Sequence, residues 1–574
     1  MPVIHPHSFY GDNTNDESSP SEDYSDSLSS SDISVELTED EYSPSESASE
    51  DSEYESSNND NISVHDSDRD EDDDVNNIMS VSGWTDVSGT TLKSFPYTGK
   101  PAVTFVGEPT PIGCYNAIVD QEVVDLIVTE TNRFGEQTLG HQKWKTTTDD
   151  EITKFLGIIC YMGLVKYPKI SDYWSKKKIY KNAVVPKIMA RNRFQQLLRF
   201  IHFADNETAD KQDRLYKLRP LVEKLCEKFS CLRIPDEMVA IDETMIKFRG
   251  RLLFKQYIPG KSSKYGIKLF KICDPDGYTY KVMVYTGKEN GASKNTVRVS
   301  DNTVLILIDQ YLDEGRTLVV DNYYTNASIA AKLLEKKTHL VGTLRKNSKD
   351  IPKTVLKPTP SLKKGDIVCQ ERNGIVVGCW KDKREVRFLT TKHKGEIVST
   401  GRKNRQGEMI KKPDAIVHYN ECKQGVDISD QMSSYFSPLR KSIFWYNKVA
   451  FELLLGTSVV NALLVYNKLS QKKVQISDFR ESLVISMLKL DHNDQQLQAS
   501  TSRCKHKLEM SQEKLGNNRK KRKRCSGCYA KYSQTMTSKE AKVKSKQIST
   551  YCSGCDDKPY LCLECYDAHI KNQQ

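Results

Sequence analysis

Residues 239–251 read Val-Ala-Ile-Asp-Glu-Thr-Met-Ile-Lys-Phe-Arg-Gly-Arg. Apolar Val239 and Ile241 lead into Asp242, and the cations Lys247, Arg249 and Arg251 follow at alternate positions. A period of two is that of a β-strand, whose successive side chains point to opposite faces. A carboxylate at the end of a short buried strand, beside a cationic strip, suits a metal site that faces a polyanion. Acid-ended strands are common, so the reading turns on whether the chain repeats the theme.

The next two hundred residues do repeat it. Residues 266–273 and 278–285 are strand-like runs flanking Asp274-Pro275-Asp276-Gly277, a strong turn signal, and predict a hairpin. Residues 302–312 read as a helix. Thr317-Leu318-Val319-Val320-Asp321 is a short apolar run ending in an acid, as expected of a central, buried strand. Residues 328–336 are again helical, and residues 339–344 form a fifth strand. The order β-β-β-α-β-α-β, with Asp242 on the first strand and Asp321 on the fourth, resembles the ribonuclease-H-like fold of DNA-processing nucleases. In that fold the two strands are neighbours, and their carboxylates share metal ions.

Such a core requires a third carboxylate from a later helix. Residues 347–413 intervene, with short strands at 365–369, 375–380 and 385–389, and read as an inserted β-rich domain. Gly425 then leads into a helix carrying Asp427 and Asp430, three apart and therefore on one face. Arg440, Lys441 and Trp445 lie just beyond. The apolar stretch 449–466 approaches membrane-spanning length, but Glu452, Thr457, Ser458 and Asn461 make it a buried core helix instead.

With 574 residues, the chain exceeds what one core serves, and several domains are expected. Residues 1–91 carry 25 Asp+Glu against the single base Arg69. That leaves 84 of the 85 Lys+Arg and 52 of the 77 Asp+Glu for the rest, a formal +32. A body this basic behind an acidic tail points to a nucleic acid partner. Residues 1–95 are too polar to bury a core and are expected to be disordered; their Ser-acid repeats suit acidophilic kinases. A polar, acidic N-terminus predicts no secretory signal. Residues 110–236 are mainly helical. One helix starts at Asp149-Asp150-Glu151, with acids at its positive end. Another carries Arg191, Arg193 and Arg199, which are phosphate contacts or a solvated face.

Eight of the 15 cysteines are scattered and seven follow position 500, which favours thiolate metal ligands over disulfides. Six bases, Arg519-Lys520-Lys521-Arg522-Lys523-Arg524, suit a nuclear localisation signal, a phosphate-binding strip, or both. Three Cys-x-x-Cys pairs follow: Cys525/Cys528, Cys552/Cys555 and Cys562/Cys565, with His569 four residues after the last. Each pair puts two thiolates at tetrahedral zinc spacing. Seven ligands are one short of two complete zinc sites.

These motifs resemble a piggyBac-type, TTAA-specific DNA transposase from roughly Thr110 onward. The likeness is carried by Trp144, Phe155-Leu156-Gly157, Asp172-Tyr173-Trp174, Arg191-Asn192-Arg193-Phe194 and Asp213-Arg214-Leu215-Tyr216-Lys217-Leu218-Arg219-Pro220. It continues in Ile241-Asp242-Glu243, Phe248-Arg249-Gly250-Arg251, Asp321-Asn322-Tyr323-Tyr324, Gly342-Thr343-Leu344-Arg345-Lys346-Asn347 and Gly425-Val426-Asp427 through Asp430-Gln431. The resemblance implies a catalytic triad of Asp242, Asp321 and Asp427 holding two Mg²⁺, with Asp430 as an additional acid beside the metals. It also implies nicking at the element ends, hairpin formation, reopening, and joining at TTAA. The expected DNA contacts are Arg249, Arg251, Lys264, Tyr323, Tyr324, Arg345, Lys346, Asn347, Arg440, Lys441 and Trp445. For Tyr323 and Tyr324, base stacking and core packing are alternatives. His506 is the resemblance's candidate for the eighth zinc ligand; Cys504 or an interleaved arrangement are the others.

The expected protein is thus α/β. It has a helical dimerisation and DNA-binding domain (110–236 and 437–490) and a ribonuclease-H-like core (237–346 and 414–436). A β-rich insertion (347–413), a basic linker (491–524) and a two-zinc module (525–574) complete it. It would act in the nucleus, as a homodimer or larger assembly, on double-stranded terminal inverted repeats and TTAA targets. The alternative is a domesticated descendant that binds DNA or chromatin without transposing.

Overall fold

The computed structural model describes residues 83–259, 264–287, 298–358, 361–440, 444–490, 507–511, 513, 522–553, 555 and 557–571. At its centre lies a mixed sheet built from β1 (Met238–Lys247), β2 (Tyr265–Cys273), β3 (Thr279–Val284), β4 (Thr317–Val320) and β5 (His339–Thr343). Their order across the sheet is β3-β2-β1-β4-β5, antiparallel on one side of β1 and parallel on the other. This is the ribonuclease-H-like topology expected from the sequence.

Alternation explains the register. Met238, Ala240, Asp242 and Thr244 of β1 share a face, and Ala240 packs there with Val319, Val341, Cys422 and Tyr419. The strand is longer than its apolar start suggests. Parallel pairing with β4 ends at Ile241↔Val320, whereas antiparallel pairing with β2 continues to Lys247↔Gly266. Asp242 therefore sits in mid-strand, at the point where its parallel neighbour stops.

Residues 347–413 do not leave the sheet. Strands β6 (Ile367–Arg372), β7 (Ile375–Lys381) and β8 (Glu385–Thr390) extend it beyond β5, with Phe388 paired to Thr343. A two-residue strand, Thr85–Asp86, closes that edge against β6. Only β9 (Ile397–Lys403) and β10 (Met409–Pro413) form a separate hairpin.

The helices upstream are α1 (Gln121–Leu139), α2 (Asp149–Leu164), α3 (Arg191–Phe200) and α4 (Arg219–Leu232). Capping fixes two starts: Asp120 accepts from the Val123 amide at 3.2 Å and Thr148 from that of Glu151 at 3.3 Å. Helix α5 (Val299–Ile308) precedes β4, and α6 (Ala327–Glu335), capped by Asn326, makes the crossover to β5. Helices α7 (Asp414–Cys422) and α8 (Gly425–Ser434) follow the β9–β10 hairpin. Next comes α9 (Trp445–Ser470), interrupted by a π-helical turn at Leu453–Thr457, and then α10 (Ile476–Met487). Helix α9 is long and apolar enough to cross a membrane, but 89% of its apolar window is buried inside the protein, with Val449, Leu454, Leu455, Val459 and Val460 fully enclosed. It is a core helix. Residues 167–182 belong to a separate compact unit, in which the Tyr173 hydroxyl accepts from the Tyr167 amide at 3.2 Å.

Candidate active site

Three elements carry the predicted acids into the neighbourhood of Tyr419. Parallel pairing of Ile241 with Val320 makes Asp242 and Asp321 the next residues along two adjacent strands, about 5 Å apart in backbone spacing. Helix α8 packs against β1 and β2 and carries Asp427 in its first turn and Asp430 one turn on. The approach of α8 depends on two glycines. A Cβ on Gly425 would stand 2.4 Å from the Asp274 carbonyl oxygen. Gly277 closes the Asp274–Gly277 turn at φ +95°, and a Cβ there would meet the Ile428 side chain at 2.9 Å. The β2–β3 turn is thus the bearing on which the helix rests.

Around Asp321, burial and one neighbouring carboxylate work against an amide and two cations. Burial, then the adjacent Glu243 carboxylate, push Asp321 up to about 6, against the Tyr323 amide, Arg345 and Lys268. Its Oδ1 accepts from that amide at 2.8 Å. The Tyr419 phenol is raised by burial and then by Asp321, Asp242 and Asp427, so all three carboxylates act on one neighbouring group. Oxygen-only donors on short side chains suit Mg²⁺. Asp427 is exposed, while Asp242, Asp321 and Asp430 are half-buried.

Asp430 is differently placed. Its Oδ1 accepts from Thr244 Oγ1 at 2.8 Å and from Lys271 Nζ at 3.0 Å. Lys271 is fully buried and stands directly across from Asp242 in the β1–β2 register. Sequence reasoning missed it. The signal was present as a lysine inside an otherwise apolar run, Leu269-Phe270-Lys271-Ile272-Cys273.

The expected DNA-contacting residues divide. Arg249, Arg251, Lys264, Arg345, Lys346 and Asn347 are exposed. Tyr323 is half-buried, with the Lys268 ammonium 4.7 Å from its ring and the Arg345 guanidinium 5.7 Å away. Tyr324, by contrast, is fully buried; it meets Phe270 edge-on and donates to Glu243 at 3.4 Å. Of the two alternatives, core packing therefore holds for Tyr324, and a base-stacking surface narrows to Tyr323. Trp445 is half-buried, edge-on to Phe254 at 5.2 Å, and Arg440 is half-buried. Lys441 lies outside the described residues.

In the C-terminal segment, helices α11 (Ser526–Ser533) and α12 (Leu563–Lys571) bring the cysteine pairs together. Cys525, Cys528, Cys562 and Cys565 have all four sulfurs within 4.8 Å of one another, with Cys528 Sγ 3.7 Å from Cys562 Sγ and 3.6 Å from Cys565 Sγ. Four thiolates around zinc at about 2.3 Å would be about 3.8 Å apart, so the spacing fits. The Cys525 thiol is raised by burial, but the Cys528 and Cys562 amides donate to it and bring it below its usual range. Cys552, Cys555 and His569 make the second group, with Cys555 Sγ 3.2 Å from His569 Nε2. The first and third pairs thus share one site and the second pair joins His569: the arrangement is interleaved. His506 and Cys504 lie outside the described residues. All 14 cysteines among the described residues are free of disulfides.

Comparison with known proteins bears on this geometry. A family model described as transposase IS4 matches residues 110–463. Over 413 residues the chain is 27% identical to human PiggyBac transposable element-derived protein 3, covering 68% of this chain and 67% of that protein. The human PiggyBac transposable element-derived protein 2 is 24% identical over 357 residues, 59% of each chain. Among solved structures, a piggyBac transposase synaptic complex with hairpin DNA is similar at a TM-score of 0.59 and 23% identity, over 81% of this chain and 97% of that one. This last likeness is one of fold.

Proposed function

Because this chain belongs to the transposase IS4 family, we propose that it is a piggyBac-type, cut-and-paste DNA transposase whose metal-binding residues are Asp242, Asp321 and Asp427. The observation that carries this reading is the β1–β4 register, which sets Asp242 beside Asp321 under the helix bearing Asp427. The three carboxylates would hold two Mg²⁺, which when bound supply an activated attacking oxygen and a stabilised leaving oxygen for phosphodiester displacement. The cations Arg249, Arg251, Lys264, Arg345 and Lys346 bind backbone phosphates, with Asn347 beside them. Tyr323 stacks on unpaired bases, and Trp445 braces the hairpin tip. Two zinc ions fold the cysteine-rich module, which reads the terminal inverted repeats. Joining two element ends calls for a dimer or larger assembly, in the nucleus, with insertion at TTAA.

The second reading is a domesticated DNA-binding factor. It is favoured by the human relatives, whose names mark them as element-derived. A plasmid excision assay with the native terminal repeats separates the two. The transposase excises the element, whereas Asp242→Ala, Asp321→Ala and Asp427→Ala each abolish excision yet still shift repeat DNA. Excision by any of those variants at the wild-type level would refute the assignment.

A further inference from the structure

A fully buried lysine directly across from Asp242 needs a reason. Lys271 projects from β2 on the Asp242 face and reaches α8 rather than solvent. There it donates to Asp430 Oδ1 at 3.0 Å, and Thr244, two residues beyond Asp242 on β1, donates to the same oxygen at 2.8 Å. On the inner side of Lys271 lies Glu452, itself buried and accepting from Ser433 one turn further along α8. One helix face is therefore tied to two strands through a single carboxylate oxygen, and a single turn upstream of that tie sits Asp427.

We propose that Lys271 and Asp430 form a strut, enclosed at its lysine end, that sets where α8 presents Asp427 to the metal ions, Asp430 serving the strut rather than the metals. The inference rests on the metal-site reading of Asp242, Asp321 and Asp427. Two features support it. One of the two Asp430 carboxylate oxygens already accepts two hydrogen bonds, one from a cation. The ammonium also has no exposure to exchange its partner for water. Lys271 is a positioning residue, since it acts on the ions only through the helix.

The test separates charge from geometry. Asp430→Asn keeps an acceptor for both Thr244 and Lys271 but removes a negative charge. The double variant Lys271→Met/Asp430→Leu removes the strut with no change in net charge, and its melting transition reports whether folding survives once Glu452 loses the nearby ammonium. Cleavage of repeat DNA is measured across Mn²⁺ concentrations, giving a half-saturation point and a saturated rate. Mn²⁺ bound to the DNA-free protein is counted by electron paramagnetic resonance.

For Asp430→Asn the expected result is a shifted half-saturation point, a saturated rate reduced by less than tenfold, and an unchanged ion count. The double variant, with its melting transition and DNA affinity kept within threefold, should lose at least a hundredfold in saturated rate and bind fewer ions. The strut is overturned if the double variant cleaves like wild type, or if Asp430→Asn falls as far as Asp427→Ala. Should Asp427→Ala itself cleave, the metal-site reading fails, and the strut loses the group it is meant to place.

Discussion

Tyr323 and Tyr324 are adjacent in sequence but differ in environment. Tyr324 is enclosed against Phe270, so Tyr324→Ala is expected to cost about 3–5 kcal/mol of stability, the usual loss for a large buried ring; chemical denaturation measures it. Tyr323, flanked by Lys268 and Arg345, should when changed to Ala leave stability nearly intact and weaken binding to unpaired DNA by about 1–3 kcal/mol, readable by fluorescence anisotropy. Their difference was not legible in the sequence, because burial after Asp321 depends on which side of the sheet Phe270 occupies. The strands on which Asp242 lies and after which Asp321 follows were legible, because each is marked by a local apolar run; what singled their acids out was the recurrence of that pattern along the chain. Lys271 was hidden for the opposite reason: its partner lies 159 positions away on α8.

At the scale of elements, the decisive contact is helix α8 on the β2–β3 turn. Adding a methyl group at Gly425 would bring it 2.4 Å from the Asp274 carbonyl, and backbone on both sides must then move. Gly425→Ala is expected to destabilise by about 1–3 kcal/mol, in line with overpacking elsewhere. It should also lower excision more than that loss of folded protein explains, because Asp427 moves with the helix; comparing excision with the folded fraction checks this. The turn was readable from Asp274-Pro275-Asp276-Gly277, and the helix from Gly425 onward. That one rests on the other was not, since turn signals specify local backbone and carry no information about what packs above it. The same limit applies to residues 347–413. Their strands were found from periodicity, but that β8 pairs with β5 and continues the central sheet is a long-range hydrogen-bond pattern that alternation cannot specify.

At the scale of the molecule, His202 is one of the histidines, with His393 and His418, that burial holds neutral, so that stability falls in acid. It is buried, stacked on Phe134 of α1 at 4.1 Å and edge-on to Tyr446 of α9 at 5.3 Å, so it joins helices from both ends of the core. Burial, with Lys217 nearby and against the Asn206 hydrogen bond, pushes it down to about 4. The folded state therefore resists a proton that the unfolded chain accepts near pH 6.5. The resulting stability is fully present above pH 6.5 and is lost as the pH falls through about 4. Between pH 7 and pH 5 denaturant titration should show a loss of about 2 kcal/mol from this residue, absent in His202→Phe. The metal module gives a second prediction. Cys528→Ser and Cys562→Ser should each remove the same zinc ion and leave the other, whereas Cys552→Ser removes the other; mass spectrometry under native conditions counts the ions. The sequence showed that zinc spacing exists but left the pairing open, because three identical motifs can be joined in several ways and only their positions in space choose.

That interleaving constrains the order of events on the ribosome. One ligand set needs both Cys525 and Cys565 and the other reaches from Cys552 to His569, so neither ring of donors closes until residues 565 and 569, respectively, have been translated. A premature stop upstream of residue 562 would therefore leave both ligand sets incomplete at once, since each draws a donor from residues 562–569.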